Sequence, residues 1–152
     1  MKLLKASLLL LVLLLAVQVS AQAGKNSELK KLMGDNFQNL HMILQNLITS
    51  NYQNLPEEAA IIEDHAINLL KDIPSSISTD EQRSRYETYA NMLRMRARNM
   101  FEMGTELKKR DKNPIEEGKM NIEYLRVVMA EDFGKVITTC VLCHNQFRRR
   151  KL

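Results

Sequence analysis

Two cysteines are all that the 152 residues contain, and they stand three apart, as Cys140 and Cys143. A framework of several structural disulfides is therefore excluded. A bridge between these two positions would close almost no loop and would stabilise little. Proline and glycine are also scarce, at three and five residues. No stretch shows the strict alternation of a β-strand, and no internal repeat is visible. After the first residues, no segment is long and apolar enough to cross a bilayer. A nucleophile–base arrangement, a Gly-rich phosphate loop and paired carboxylates in a catalytic setting are all missing, so the sequence predicts no enzyme. Charge of one sign is missing too. With Lys2 and Lys5 set aside, 20 of the 22 basic residues remain against 18 acidic ones. That balance points to no nucleic-acid partner.

What is present begins with a compartment signal. Lys2 and Lys5 precede an apolar run from Ala6 to Val17, and small residues follow in "VQVSAQAGK". This is the charged, apolar and A-x-A-like order of a secretory leader. The reading places cleavage after Ala21, with Ala23 as second choice. Residues 1–21 are then a signal peptide and residues 22–152 one exported domain, expected in the periplasm with no transmembrane segment. An uncleaved anchor is the competing reading, but the apolar run is short for a span of ~20 residues. The basic end "RRRKL" fits a helix C-terminus, where cations offset the macrodipole.

Four segments carry apolar residues at helical spacing. The first, residues 28–49, has a stripe of Leu29, Leu32, Met33, Phe37, Leu40, Leu44, Leu47 and Ile48. The second starts at Pro56, with Glu57 and Glu58 in its first turn, and carries Ile62, Ala66, Leu69 and Ile73. The third opens on Ser78-x-x-Glu81, spelled like a capping box, and continues through Tyr86, Tyr89, Leu93, Met100 and Leu107. The fourth opens on Asn113-Pro114-x-Glu116. Its stripe is Ile122, Leu125, Met129, Phe133, Val136, Cys140, Cys143 and Phe147. Four amphipathic helices with short connections predict an all-α fold, an antiparallel up-down-up-down four-helix bundle.

The fourth stripe runs directly into "CVLCH". At ~100° per residue, Cys140 and Cys143 lie ~60° apart on the helix, and His144 lies ~40° from Cys140 on the other side. All three leave one arc within about one turn. That arrangement suits two thioether bonds to a haem, with the histidine nitrogen on the iron, and C-x-x-C-H reads as c-type haem attachment. Two other readings compete besides the disulfide. A thioredoxin-type dithiol expects a βαβ setting, and no strand is predicted. A closed zinc site wants a fourth ligand; there is no third cysteine, and His41 and His65 do not form a second ligand pair.

The ending "CVLCHNQFRRRKL", with C-x-x-C-H followed by x-x-Phe-Arg at the end of a last helix, resembles class II c-type cytochromes, the cytochrome c′ and cytochrome c556 group. The likeness spans the exported region in architecture and is strongest in residues at this motif. It implies one covalently bound haem c, with Cys140 and Cys143 as attachment sites and His144 as the proximal iron ligand. The first segment begins "LKKLMGDNFQNL" and is similar to the cytochrome c556 branch, whose Leu-Met-x-x-Asn stretch supplies a methionine ligand. Met33 is the matching residue. One departure is Ile137, three residues before Cys140, where the family often has a small residue.

Height in the bundle agrees with Met33. In an up-down bundle the end of the last helix lies level with the beginning of the first, whereas His41 and Met42 lie ~12 Å or more farther along, at ~1.5 Å per residue. A methionine on an apolar stripe otherwise fills core space. His65 is the reserve candidate, read first as a surface histidine. Phe37, Leu69, Tyr86, Phe133 and Val136 are expected in the core near the haem, and Arg94, Arg96 and Arg98 are expected to face water, pairing of one of them with a haem propionate being the alternative.

Two functions follow from the resemblance. The first is a periplasmic mono-haem electron-transfer protein with low-spin His/Met iron, serving redox partner proteins. The alternative is a five-coordinate, cytochrome c′-like haem that binds nitric oxide or another diatomic gas. Family members include monomers and dimers, so a homodimer is among the expected states.

Overall fold

The computed structural model describes residues 31–112 and 121–147. Four helices occupy them: α1 (helical residues 31–48), α2 (Leu55–Lys71), α3 (Asp80–Lys112) and α4 (Ile122–Phe147). Among the described residues there is no strand. The expected signal peptide at 1–21, Leu29 and the Asn113-Pro114-x-Glu116 helix start lie outside the described residues. The chain divides into two compact units between Asp35 and Asn36. In the first unit, residues 31–35 are helical and carry Met33. The second unit holds the rest of α1 and the other three helices.

Neighbouring helices run in opposite directions, as their contacts show. Between α1 and α2, Asn46 meets Glu58 and Asn36 meets His65, so position falls along one helix as it rises along the other. Between α2 and α3, Glu57 meets Lys108 and Glu63 meets Arg98. Between α3 and α4, Tyr86 meets Phe147 and Arg96 meets Asp132. The result is the antiparallel up-down-up-down four-helix bundle that the apolar spacing predicts.

The core is built from three- and four-residue steps. On α3, Tyr86, Ala90, Leu93, Ala97, Met100, Gly104 and Leu107 are buried in strict succession. The small members, Ala90, Ala97 and Gly104, recur every seven residues, and at Gly104 α2 comes close. A Cβ built on Gly104 would stand 3.1 Å from Leu55 Cβ and 3.2 Å from Pro56 N. On α2, Leu55, Ala59, Ile62, Ala66 and Leu69 face inward, as expected for the last three.

α1 departs from the predicted stripe. Its buried face is Asn36, Leu40, Ile43, Asn46 and Leu47, while Phe37 is 74% exposed, Ile48 71% exposed, and Leu44 exposed too. The inward face is thus rotated by about 60° at ~100° per residue, with Leu40 and Leu47 common to both faces. Two asparagines sit inside because other helices bring them partners: the Asn46 amide donates to the Glu58 carboxylate, and the Asn36 carbonyl accepts from His65. Phe37, expected in the core, is corrected to the surface.

Helix ends follow capping chemistry with a one-residue shift at α3. The reciprocal box is Thr79 with Gln82, not Ser78 with Glu81. Gln82 N donates to Thr79 Oγ1 at 3.2 Å, and Gln82 Oε1 accepts from Ser78 N and Thr79 N at 3.1 and 3.4 Å. At the start of α4, Asn121 Oδ1 accepts from Glu123 N at 3.1 Å. α1 ends in a Schellman arrangement: Asn51 N donates to Asn46 O, Ser50 N to Leu47 O, and Ser50 takes a left-handed φ of 56°.

Candidate functional site

The last turns of α4 hold the motif. Leu125, Met129, Asp132, Val136 and Thr139 are the buried residues that seat α4 against the core. Thr139 is anchored further by its hydroxyl, which donates to Lys135 O at 2.8 Å. The same spacing brings Cys140 and Cys143 to the edge of that buried face, where both are half-buried and free. His144 is exposed. Two thiols and an imidazole thus stand within about one helical turn, with no bond between the sulfurs.

Burial pushes the Cys140 thiol up from its ordinary range. Burial raises Cys143 further, to about 11, and the neighbouring Cys140 adds to it. Both are neutral thiols at physiological pH. Among the described residues no cation lowers either thiol, which counts against a thioredoxin-like role. Among the described residues, no three His, Cys, Asp or Glu side chains converge as a metal-ligand set, so Cys140, Cys143 and His144 do not gather round one point as a zinc site would require.

Tyr86 of α3 adjoins this turn. Its ring packs edge-on against Phe147 at 5.6 Å between centroids, and Tyr89 does the same at 6.3 Å. Burial raises the Tyr86 phenol, and Cys143 raises it again. The Tyr86 hydroxyl is buried with no hydrogen-bond partner. The sequence placed Tyr86 in the core by spacing; nothing in the sequence signals that its hydroxyl is left unmatched.

Apolar surface lies open next to the motif. Ile137, Val141 and Leu142 are all exposed, and Phe133 is only half-buried, while Val136 and Leu69 are buried as expected. Ile137 and Val141 flank His144 on its side of α4, by helical spacing. Arg96 does not face water as expected. It is half-buried, with Nη1 3.2 Å from Asp132 Oδ1. Arg98 pairs with Glu102 and Glu63, and Arg94 is exposed.

The remaining candidates divide. His41 and Met42 are exposed on α1. His65 is half-buried, with Nδ1 2.7 Å from Asn36 Oδ1. A carbonyl oxygen only accepts, so Nδ1 is the donor in this pair and Nε2 takes no part in it. Met33 is helical and half-buried in the first unit, whereas Cys140, Cys143 and His144 stand together in the second.

The residues fit a covalently held haem. The thiols are free and reachable, the imidazole is unburied one residue beyond the second thiol, apolar surface beside them is open, and a buried polar atom nearby lacks a partner. No helix among the described residues is long and apolar enough to cross a membrane. Comparison of the chain with protein-family models, curated proteins and solved structures finds no match.

Proposed function

We propose that the chain is an exported mono-haem c-type cytochrome that carries electrons, with haem c bound through Cys140 and Cys143. The observation that carries the reading is two free, half-buried thiols three apart on the last turns of α4, with exposed His144 next to the second. Cys140 and Cys143 would each add S–H across a vinyl group, forming one C–S bond and placing the hydrogen on the neighbouring carbon, so the step needs no oxidant. His144 would be the proximal ligand and Met33 the distal one. The bound group supplies a reversible one-electron couple; the chain's residues hold it, orient it and exclude water on its inner side. Apolar surroundings and His/Met ligation are levers that raise the potential. Redox partner proteins and the periplasm complete the proposal.

The test is a visible and near-infrared spectrum of protein made with a haem-attachment system, in both oxidation states. A low-spin spectrum with a methionine–iron charge-transfer band, and haem that stays on the chain in a denaturing gel, is expected. A chain without covalent haem refutes the proposal. A high-spin spectrum with rapid gas binding by the reduced form means an open sixth position instead.

A further inference from the structure

We infer that the Tyr86 hydroxyl donates a hydrogen bond to an acceptor that arrives only when haem is attached at Cys140 and Cys143; the inference rests on the haem reading. Tyr86 is 5% exposed, and its hydroxyl is the only buried, unpartnered side-chain polar atom among the described residues. The neighbouring cases show that this is not loose packing. Buried Asn36, Asn46, Glu58, Asp132 and Thr139 all have partners. Buried polar groups in native proteins are almost always satisfied, so the exception calls for a partner from outside the chain.

Its position says which partner. The ring lies edge-on to Phe147 at 5.6 Å between centroids, in the last turn of α4 and about one turn beyond Cys143. Phenylalanine would fill the same space without stranding a donor. Haem attachment introduces the propionate carboxylates, whereas the Cys143 sulfur is already a weak acceptor in the bare chain and does not take the hydroxyl. The carboxylates are acceptors that the bare chain lacks, and their charge strengthens the bond. A donor aimed at the group stabilises its electron-rich, reduced form, so Tyr86 is a positioning and tuning residue.

The experiment compares haem-loaded wild type, Tyr86→Phe and Tyr89→Phe, all first shown by haem staining on a denaturing gel to carry covalent haem. Tyr86→Phe is expected to lower the one-electron reduction equilibrium constant about threefold to tenfold, with Tyr89→Phe unchanged. Resonance Raman spectra of the wild type should shift between H₂O and D₂O, and the shift should vanish in Tyr86→Phe. A shift in the carboxylate bending mode identifies a propionate as the acceptor, whereas a shift confined to the C–S mode points to a sulfur the bare chain already holds and overturns the inference. Loaded proteins with equal potentials and no isotope shift overturn the inference and leave the haem reading standing. A wild type that never takes up haem overturns both.

Discussion

The Asn46 amide nitrogen lies 3.0 Å from each carboxylate oxygen of Glu58, so one buried side chain of α1 serves both oxygens of a buried acid on α2. The match is neutral against charged. Burial holds the Glu58 carboxyl above its ordinary 4.5, the Asn46 bonds pull it down, and neighbouring Glu57 pushes it up again. A carboxyl whose folded-state pKa is raised contributes stability below its unfolded value and loses it as pH rises through the folded one. We predict that Glu58→Gln, which keeps an acceptor for Asn46 and removes the charge, raises the urea midpoint at pH 7. The gain should fade as the pH falls through the raised folded-state value toward 4.5 and be smallest below it. An equal or lower midpoint at pH 7 would show that the ionised form is the better tenant.

Asp132 presents the opposite balance. It is buried on α4, and its charge is met by Arg96 at 3.2 Å from α3 and Lys135 at 3.4 Å from its own helix. Removing Arg96 leaves a buried carboxylate with only a half-exposed lysine. Arg96→Met should therefore cost about 1–3 kcal/mol in denaturant unfolding. Adding Asp132→Leu should recover much of that loss, because no buried charge is left unmatched. A single variant as stable as the wild type would place the pair among surface ion pairs of little consequence.

At Gly104 two tendencies oppose each other. Alanine favours a helix interior over glycine by about 1 kcal/mol. Its Cβ would nevertheless meet Leu55 Cβ at 3.1 Å, Pro56 N at 3.2 Å and the Leu55 carbonyl carbon at 3.3 Å. Two of these are backbone atoms at the start of α2, and they cannot swing aside as a side chain would. We predict that Gly104→Ala lowers the melting temperature despite the better propensity, with an overpacking cost of about 1–3 kcal/mol. Gly134, where an added Cβ meets nothing within 4 Å, is the control. Gly134→Ala should raise stability by up to about 1 kcal/mol.

These contacts also show how far the sequence could be read. The spacing of Tyr86, Leu93, Met100 and Leu107 gave the inward face of α3 because every buried position there is apolar or small. The same logic misplaced α1, where Asn36 and Asn46 occupy inward positions and Phe37, Leu44 and Ile48 do not. Period alone cannot reveal that His65 and Glu58, on another helix, will satisfy two asparagines. Arg96 was misread for the same reason, since its partner Asp132 lies 36 residues away. The candidate site was legible because Cys140, Cys143 and His144 are close in sequence. The unpartnered hydroxyl of Tyr86 was not, because a missing contact appears only when the neighbours are placed.

Ser50 closes α1 in a left-handed conformation that serine tolerates poorly, at φ 56°, and its side chain is exposed. Glycine is the usual occupant of this position in a Schellman ending. Relief of the strain, about 1–2 kcal/mol, is offset in part by the greater freedom glycine gives the unfolded chain. The expected net for Ser50→Gly is a gain of about 0.5 kcal/mol, read as a small rise in melting temperature. A fall would mean that the serine hydroxyl contributes more than its exposed position suggests.

Met33 is where the proposed function meets its simplest genetic test. If it fills the sixth iron position, Met33→Ala should convert a low-spin spectrum to high spin and abolish the methionine–iron charge-transfer band, while covalent haem persists on a denaturing gel through Cys140 and Cys143. The reduction potential should fall, since a methionine ligand raises it. If the variant stays low spin, another side chain has taken the position. His65 is then the first to test, because Nδ1 is held by Asn36 and Nε2 takes no part in that bond. Met33→Ala combined with His65→Ala separates the cases: a high-spin double variant after a low-spin single one identifies His65 as the replacement ligand, whereas a low-spin double variant removes both residues from the iron.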